Sequence, residues 1–330
     1  MPAHCAQPSR LFLSGATGFV GRNLCLAAAQ SGIPIFAPVR DLEKLRRQIA
    51  TDRLPEGLIT PLPPDPSGWP DFSVNLAVLS AGVLFARNRK EYFDTNVSWM
   101  RRILAALPRD CKTVVLSSQS AGGPTPDSLS ARNEAMPDSP ITWYGDSKLA
   151  AEKMIATDFP ARPITILRPP MILGARDSAT LPLFQMARGF IRTKPGLATK
   201  HFSFLGVADV VGAIFAAARV SEAGPFYIAS DRVISDIDLI ETAARVSGGR
   251  GVTLRIPQPL VRLLSAVVDR VPAMRRATPS LTRDRAKEIW ASRWVVDPTR
   301  FKKCSGWSAE VTLESALGEA FTFFQSEGKL

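Results

Sequence analysis

Short apolar runs and longer amphipathic runs alternate along the first two thirds of the chain. The apolar runs predict strands, at residues 10–14, 33–39, 76–79, 113–116, 164–167, 202–205 and 225–228. The amphipathic runs predict helices, at residues 20–29, 42–49, 92–107, 142–156 and 210–219. Nearly continuous apolar strands that alternate with helices are typical of a parallel sheet covered on both faces. We therefore predict an α/β fold with a doubly wound, mostly parallel sheet.

The alternation is interrupted in three regions. The proline-rich residues 61–70 and the Gly-, Pro- and Ser-rich residues 120–140 predict loops, the second long enough to carry function. After Pro169 the pattern is mixed as far as residue 200, and from Ser235 it is mostly helical, ending in a helix over 310–325. The sequence thus predicts a first domain over 1–169, to which 201–234 return, and a smaller, mostly helical second domain from 170–200 and 235–330.

Glycines recur at every third position after the first predicted strand. Gly15, Gly18 and Gly21 stand between this strand and an apolar helix. Such a turn needs glycine dihedrals, and it lets the backbone approach a pyrophosphate that the N–H groups at the helix N-terminus then bind. The strand-turn-helix context favours a dinucleotide-binding turn over an ordinary glycine-rich turn.

Cysteine and histidine usage restricts the chemistry. The four cysteines lack metal-type spacing, and the two histidines are isolated, so we expect neither a disulfide framework nor a metal site. A histidine base is equally poorly supplied, and no histidine–acid pair could activate a serine nucleophile. Proton transfer is therefore expected from another type of residue.

The net charge and the hydropathy of the chain indicate which partners and which cellular location to expect. The net charge is +11, but the basic residues are dispersed without interleaved aromatic residues, so we expect no nucleic acid partner. An anionic cofactor, an anionic substrate or a membrane surface accounts for the charge equally well. No apolar run reaches about 18–20 residues, and the first residues lack the apolar stretch of a signal peptide, so the sequence predicts a cytoplasmic protein.

Tyr144 and Lys148 lie one helical turn apart in the run WYGDSKLAAEK. This spacing places the phenol and the ammonium on one helix face. A nearby ammonium favours the phenolate and so lowers a tyrosine pKa from its usual value of about 10, which suits a general acid or base. Ser118 ends the strand just upstream and could hydrogen-bond a substrate oxygen. The alternative is a half-buried tyrosine, a solvated lysine and a serine that satisfies local backbone.

These runs together resemble the extended short-chain dehydrogenase/reductase superfamily, in its NAD(P)-dependent epimerase/dehydratase group. The matching segments, in family order, are SGATGFVG, TNV, SSQSAGGP, WYGDSKLAAE and LRPPMILG. The resemblance implies a Rossmann-type domain with a catalytic group of Ser118, Tyr144 and Lys148. In this group Tyr144 exchanges the proton, Lys148 holds the nicotinamide ribose and Ser118 orients the substrate. Dimers are usual among such proteins, so a homodimer is expected.

The motifs and the resemblance together indicate where the cofactor lies. We expect contacts from Gly15, Thr17, Gly18, Phe19, Val20, Gly21, Arg40, Ser80, Ala81, Gly82, Asn96, Ser117, Tyr144, Lys148 and Pro170. An acidic residue after the second strand selects NAD, whereas an arginine suits the 2′-phosphate of NADP. Here Val39 stands at the acidic position and Arg40 follows, while Asp41 is placed to open the next helix. The sequence therefore favours NADP, with NAD as the alternative.

Substrate class is indicated by a departure from the family pattern. Relatives that act on nucleotide sugars typically have an asparagine where this chain has Met171, so a more apolar pocket is expected. We predict oxidoreduction at a secondary alcohol or ketone of a lipophilic small molecule. A nucleotide-sugar epimerase or dehydratase and a non-catalytic dinucleotide-binding sensor are the alternatives. Residues 259–272 predict an apolar helix, followed by Arg275, Arg276 and further basic residues, which is either a core helix or an interfacial helix at a membrane.

Overall fold

The computed structural model describes residues 8–257, 259 and 283–330, and it confirms the α/β fold. Residues 260–282, with most of the predicted apolar helix and Arg275 and Arg276, lie outside the described residues. The strands are β1 Leu11–Ser14, β2 Ile35–Pro38, β3 Ile59–Leu62, β4 Leu76–Leu79, β5 Lys112–Leu116, β6 Ile164–Arg168, β7 Met171–Leu173, β8 Ile191–Pro195, β9 His201–Phe202, β10 Phe204–Gly206, β11 Gly224–Tyr227, β12 Ile234–Ser235, β13 Val252–Ile256 and β14 Arg293–Trp294.

The helices alternate with these strands. They are α1 Phe19–Gln30, α2 Leu42–Asp52, α3 Arg89–Phe93, α4 Met100–Ala106, α5 Gln119–Gly122, α6 Trp143–Asp158, α7 Leu181–Ala187, α8 Val207–Ala217, α9 Asp236–Ser247, α10 Arg283–Trp290, α11 Thr299–Ser305 and α12 Leu313–Ser326. A π-helical turn, Asp94–Trp99, joins α3 to α4. No helix in the described ranges is long and apolar enough to cross a membrane.

Seven parallel strands form the central sheet, in the order β11-β6-β5-β4-β1-β2-β3. Successive residues of a strand enter different cores: Leu11 and Leu13 pack in one cluster with α1 and α8, and Phe12 packs in another with α4 and α6. Both faces are therefore buried, which explains why the strands read as continuous apolar runs. The chain reverses its direction across the sheet between β1 and β4, where open parallel sheets bind ligands at the carboxyl ends of the strands.

The edge strand β3 was not predicted, because residues 61–70 were interpreted as a loop. Pro61 lies within β3, opposite Ala37 of β2. A proline has no N–H to donate, but an edge strand has only one neighbour, so the missing donor is tolerated there. The predicted loop begins after Leu62 and contains the short 3₁₀ turn Pro66–Gly68.

The C-terminal part contains more strands than the sequence predicted. The run over 202–205 divides into β9 and β10, which join different small sheets, and β13 and β14 interrupt the predicted helical region. β7 pairs with β10, β8 pairs with β13, and β9 lies between β12 and β14. A separate core that includes Phe184, Phe204 and Phe324 packs these elements against α9 and α12.

Candidate active site

The glycine turn after β1 is closed at both ends by backbone contact. Gly15 has φ +83°, and a Cβ atom there would lie 2.8 Å from the nitrogen of Ala81. A Cβ atom at Gly21 would lie 2.0 Å from the carbonyl oxygen of Gly15. Gly18 is the N-cap residue of α1 and brings no side chain over the helix N-terminus. We call this turn the glycine cradle: it leaves the N-terminus of α1 free of side chains, and its backbone could hold a diphosphate.

The loop after β4 connects this cradle to Lys148. The Ser80 hydroxyl donates to the carbonyl oxygen of Ser14 at 2.7 Å, and the Ala81 N–H donates to the Ser14 hydroxyl at 3.3 Å. A Cβ atom at Gly82 would lie 3.1 Å from Lys148 Nζ. A side chain at position 82 would therefore crowd the ammonium, and the glycine keeps this loop close to Lys148.

Asn96, in the π-helical turn, contacts the loop after β4. It is fully buried, and its Nδ2 donates to the Ser147 hydroxyl at 2.9 Å. Its Oδ1 accepts a hydrogen bond from the Val83 N–H at 3.0 Å. Asn96 thus holds the loop after β4 against α6, whose residue 147 precedes Lys148.

Tyr144 and Lys148 lie on the first turns of α6, as their spacing requires. Lys148 Nζ is 5.9 Å from the centre of the Tyr144 ring, and the ring of Tyr92 lies 6.1 Å from the Tyr144 ring on another side. Lys148 Nζ donates to the carbonyl oxygen of Leu116 at 2.9 Å. Burial lowers the pKa of Lys148 to about 8, although the nearby Glu152 carboxylate acts in the opposite direction. Tyr144 is half-buried.

The two serines after β5 differ in orientation. Ser118 is half-buried and its oxygen accepts a hydrogen bond from the Ser120 N–H at 3.1 Å, which leaves the hydroxyl proton for another acceptor. A Cβ atom at Gly145 would lie 2.4 Å from the carbonyl oxygen of Ser120, so this segment touches α6 directly beside Tyr144. Ser117 donates instead to the Glu152 carboxylate, and its side chain is buried there.

The remaining predicted cofactor residues lie around the cradle or apart from it. The Thr17 carbonyl accepts from Gln48 Nε2 of α2 at 3.1 Å, and Phe19 and Val20 form the first turn of α1. Arg40 is exposed after β2, and Pro170 is buried between β6 and β7; among the described residues, neither contacts the cradle through a hydrogen bond. Asp41 caps α2 by accepting from the Lys44 N–H at 2.8 Å, which confirms that it opens this helix.

A buried charge network around Arg168 was missed by sequence reasoning. Arg168 Nε donates to Glu152 Oε1 at 3.0 Å, and Arg168 Nη1 donates to Asp138 Oδ1 at 2.7 Å and to the Tyr227 hydroxyl at 3.2 Å. These contacts join β6, β11 and α6 to the loop around residue 138. One signal was present, since Arg168 is a charge at the end of an otherwise apolar strand.

Two carboxylates on α10 contact the N-terminus of α6 and were also missed. Asp284 Oδ2 accepts from the Trp143 N–H at 3.1 Å, and Thr142 donates its hydroxyl to Glu288 Oε1 at 2.9 Å. Negative charge at a helix N-terminus is favourable, so α10 stabilises the start of the helix that carries Tyr144. More than 140 residues separate the partners, and no local pattern predicts such a pairing.

Comparison with known proteins identifies the family of the chain. The family model of the NAD dependent epimerase/dehydratase family matches residues 11–229, and the chain belongs to this family. Two curated relatives are ceramide reductase from Caulobacter vibrioides (24% identical over 93% of this chain and 94% of the relative) and 2-alkyl-3-oxoalkanoate reductase from Shewanella oneidensis (26%, 96% and 87%). The chain is accordingly an NAD(P)-dependent enzyme of the oxidoreductase and epimerase type.

A solved structure shows the same fold. UDP-glucuronic acid 4-epimerase from Bacillus cereus, a tyrosine variant bound to UDP-4-deoxy-4-fluoro-glucuronic acid and NAD, superposes with a TM-score of 0.75. The two chains are 17% identical, and the match covers 96% of this chain and 99% of the epimerase. The match covers nearly the whole of both chains, so the likeness of fold is not limited to the seven-stranded sheet.

Proposed function

We propose that the protein is an NADP-dependent reductase or dehydrogenase that interconverts a ketone and a secondary alcohol on a lipophilic substrate. One observation carries the proposal. The buried ammonium of Lys148 is close to the Gly82 backbone and 5.9 Å from the centre of the Tyr144 ring, and Gly82 follows Ala81, which contacts the glycine cradle. A cofactor seated on the cradle would reach this ammonium with its nicotinamide ribose.

The residues divide the reaction between them. The bound cofactor supplies or accepts the hydride at the carbon atom. In the reducing direction the Tyr144 hydroxyl gives a proton to the substrate oxygen, so that one hydride and one proton convert C=O to CH–OH. The Lys148 ammonium stabilises the phenolate that remains and holds the ribose. The Ser118 hydroxyl donates to the same substrate oxygen and orients it.

The lipophilic substrate class is supported by two features. Met171 of β7 is half-buried where related nucleotide-sugar enzymes present a polar amide. The curated relatives are named as reductases of a ceramide and of a 2-alkyl-3-oxoalkanoate, and both names designate molecules with alkyl chains. A ketone next to an alkyl chain is therefore the substrate type we favour.

Further expectations follow the same proposal. The exposed guanidinium of Arg40 after β2 would bind the 2′-phosphate of NADP. Residues 170–200 and 235–330 would bind the substrate, and 1–169 with 201–234 would bind the cofactor. We further propose a cytoplasmic homodimer that touches a membrane surface at its periphery.

The test is a coupled assay at the nicotinamide absorbance, with a water-soluble alkyl ketone, for the wild type and Tyr144→Phe. We expect turnover of NADPH by the wild type, a loss of about 10²–10⁴-fold in kcat for the variant, and little change in its cofactor Kd. Tyr92→Phe, which removes the hydroxyl group from the ring next to Tyr144, serves as the control. Product formation without net consumption of cofactor would indicate an epimerase or dehydratase instead. Cofactor binding without turnover of any ketone would indicate a sensor.

A further inference from the structure

In the ribbon formed by β8 and β13, apolar side chains face outward and charged side chains face inward, which is the reverse of the usual arrangement. Ile191 lies opposite Val252, and these side chains are 57% and 59% exposed. Arg192 and Lys194, which alternate with Ile191 along β8, are 5% and 0% exposed. Side chains on a strand alternate between faces, so the charged face points into the protein and the apolar face points outward.

The inward charges are paired, which fixes this register. Lys194 Nζ donates to the carbonyl oxygens of Gly196 and Ala198 at 3.1 and 2.7 Å and forms an ion pair with Asp236 at 2.9 Å. Arg192 donates to Thr253 Oγ1 at 3.1 Å and to Glu241 at 3.3 Å. A shift of the β8 register by one residue would bury Ile191, but it would expose Arg192 and Lys194 or leave them without partners. The outward apolar face is therefore a stable property of the ribbon.

Basic side chains stand at both ends of this face. At the amino end Phe190 is 84% exposed, and Arg188 and Arg250 are exposed beside it. The two backbones touch there, since a Cβ atom at Gly251 would lie 2.3 Å from the Phe190 carbonyl oxygen. At the carboxyl end Arg255 stands opposite Lys194 in the register, on the inward side of β13, but its side chain is exposed and donates to the carbonyl oxygen of Leu197, whose side chain is also exposed.

We infer that this face, formed by Phe190, Ile191, Leu197, Val252 and Leu254 and bounded by Arg188, Arg250 and Arg255, docks on an anionic lipid bilayer. The apolar side chains enter the headgroup boundary, and the guanidinium groups bind lipid phosphates. The inference rests on the proposed function, because a lipophilic ketone is concentrated in a membrane. It adds the place where the enzyme meets its substrate.

Charge selects the bilayer over two other occupants. A second copy of the chain would bring the same three arginines to the same face. Residues 260–282 follow the ribbon in sequence and contain four arginines and one aspartate, a net charge of +3, so they too carry the sign of the ribbon ends. An anionic surface complements the basic ends of the face, whereas both protein occupants carry the same sign of charge.

The experiment is co-sedimentation of the full chain with phosphatidylcholine vesicles, with and without phosphatidylglycerol, at low and high salt. One variant combines Phe190→Ser with Leu254→Ser, and a second combines Arg188→Gln with Arg250→Gln. Their matched controls lie on the exposed surface of α2: Leu42→Ser for the first, and Arg46→Gln with Arg47→Gln for the second. Turnover of a water-soluble ketone is measured for every protein.

We expect the wild type to sediment with phosphatidylglycerol vesicles only, to be released by salt, and to lose about tenfold or more of its vesicle partition coefficient in each variant. Controls should remain within about twofold of the wild type. A wild type that ignores these vesicles, or variants that bind as well as their controls, would overturn the inference. So would a dimer that the variants dissociate, or a large fall in their Tm without a change in vesicle binding. Turnover of the soluble ketone by the wild type tests the proposed function separately: failure of vesicle binding with this turnover intact would overturn the inference and leave the proposed function standing.

Discussion

Two lysines are buried in different regions of this protein, and their partners differ. Lys194 of the β8–β13 ribbon donates hydrogen bonds to two carbonyl oxygens and forms an ion pair with the Asp236 carboxylate at 2.9 Å. In the described part of the chain, Lys148 of α6 donates one hydrogen bond, to the carbonyl oxygen of Leu116. An ammonium carries three protons to donate, so Lys148 retains capacity for a ligand and Lys194 does not.

This difference distinguishes a charge that stabilises the fold from one that we propose to act in the reaction. A fully paired buried charge holds its surroundings in one arrangement, and removing it leaves its partners unsatisfied. A buried charge with few partners costs stability, which the lowered pKa of Lys148, about 8, expresses. Such a cost is tolerated where the group acts on a ligand, and active sites are where perturbed lysines concentrate.

Lys148→Met is expected to give the largest effect. Turnover should fall by about 10²–10³-fold, because no ammonium then stabilises the Tyr144 phenolate or the ribose. Stability at pH 7 should increase by up to about 3 kcal/mol, because the folded protein no longer pays for a buried charge. The measurements are the rate of the coupled assay and urea unfolding.

The pH dependence of this effect has a definite sign. The pKa of Lys148 is lowered from 10.5 to about 8 in the folded protein. Between these values the unfolded chain holds the proton that the folded chain has released, so the wild-type stability rises with pH. The stability difference between wild type and Lys148→Met should therefore shrink at pH 10. A constant difference would contradict the assignment of a charged, under-paired Lys148.

Lys194→Met should do the reverse. It should lower the free energy of unfolding by about 3–5 kcal/mol, because Asp236 and two carbonyl groups lose their partner. The kcat on a soluble ketone should not change. The double variant with Asp236→Asn should recover part of the loss in urea unfolding, since the uncompensated carboxylate is gone. A loss below about 1 kcal/mol in the single variant would remove the contrast between the two lysines.

Arg40→Gln extends the contrast to an exposed cation near the cradle. Within the described chain the Arg40 guanidinium has no ion-pair partner, so it is available to form an ion pair with a 2′-phosphate. We expect the Kd for NADPH to rise about tenfold, or about 1.4 kcal/mol, and the Kd for NADH to stay unchanged. Isothermal titration with both cofactors measures this. Arg46→Gln, on the next helix, is the control, and equal effects on both cofactors would argue against a 2′-phosphate contact.

Asp284→Asn should give the smallest effect. Its carboxylate accepts from the Trp143 N–H at the start of α6, and an amide oxygen would keep the hydrogen bond while losing the charge. We expect a loss of about 0.5–1 kcal/mol in stability and a decrease of two- to fivefold in kcat/KM. Thermal unfolding and the coupled assay measure the two quantities. Lys287→Gln removes the other partner of Asp284 and should leave kcat/KM unaltered.

Much of the seven-stranded sheet could be predicted from local pattern. β4 covers the predicted residues 76–79, and β1, β5 and β6 lie within one residue of their predicted ends, because strands buried on both faces are apolar throughout. The glycine turn was equally readable, since φ +83° at Gly15 and the close approach at Gly21 leave glycine as the fitting residue. The Tyr144 and Lys148 pairing followed from helical spacing alone.

Other features depend on contacts between distant parts of the chain. β8 was hidden because its charged residues face inward, so its pattern resembled a solvated segment. β3 was hidden by Pro61, which only its position at the sheet edge explains. The carboxylates of α10 meet α6 across more than 140 residues, and neither sequence neighbourhood records the other. Sequence reasoning also could not show that the Ser117 side chain points to Glu152.

The π-helical turn at Asp94–Trp99 makes the length of this segment as important as its composition. A π turn contains one more residue than an α turn, so the chain beyond it is rotated relative to a regular helix. Deleting a single residue here would restore ordinary winding and swing the Asn96 amide away from Val83 and Ser147. The number of residues in this segment therefore matters: an in-frame deletion is expected to disturb the Asn96 contacts even when every remaining amino acid is unchanged.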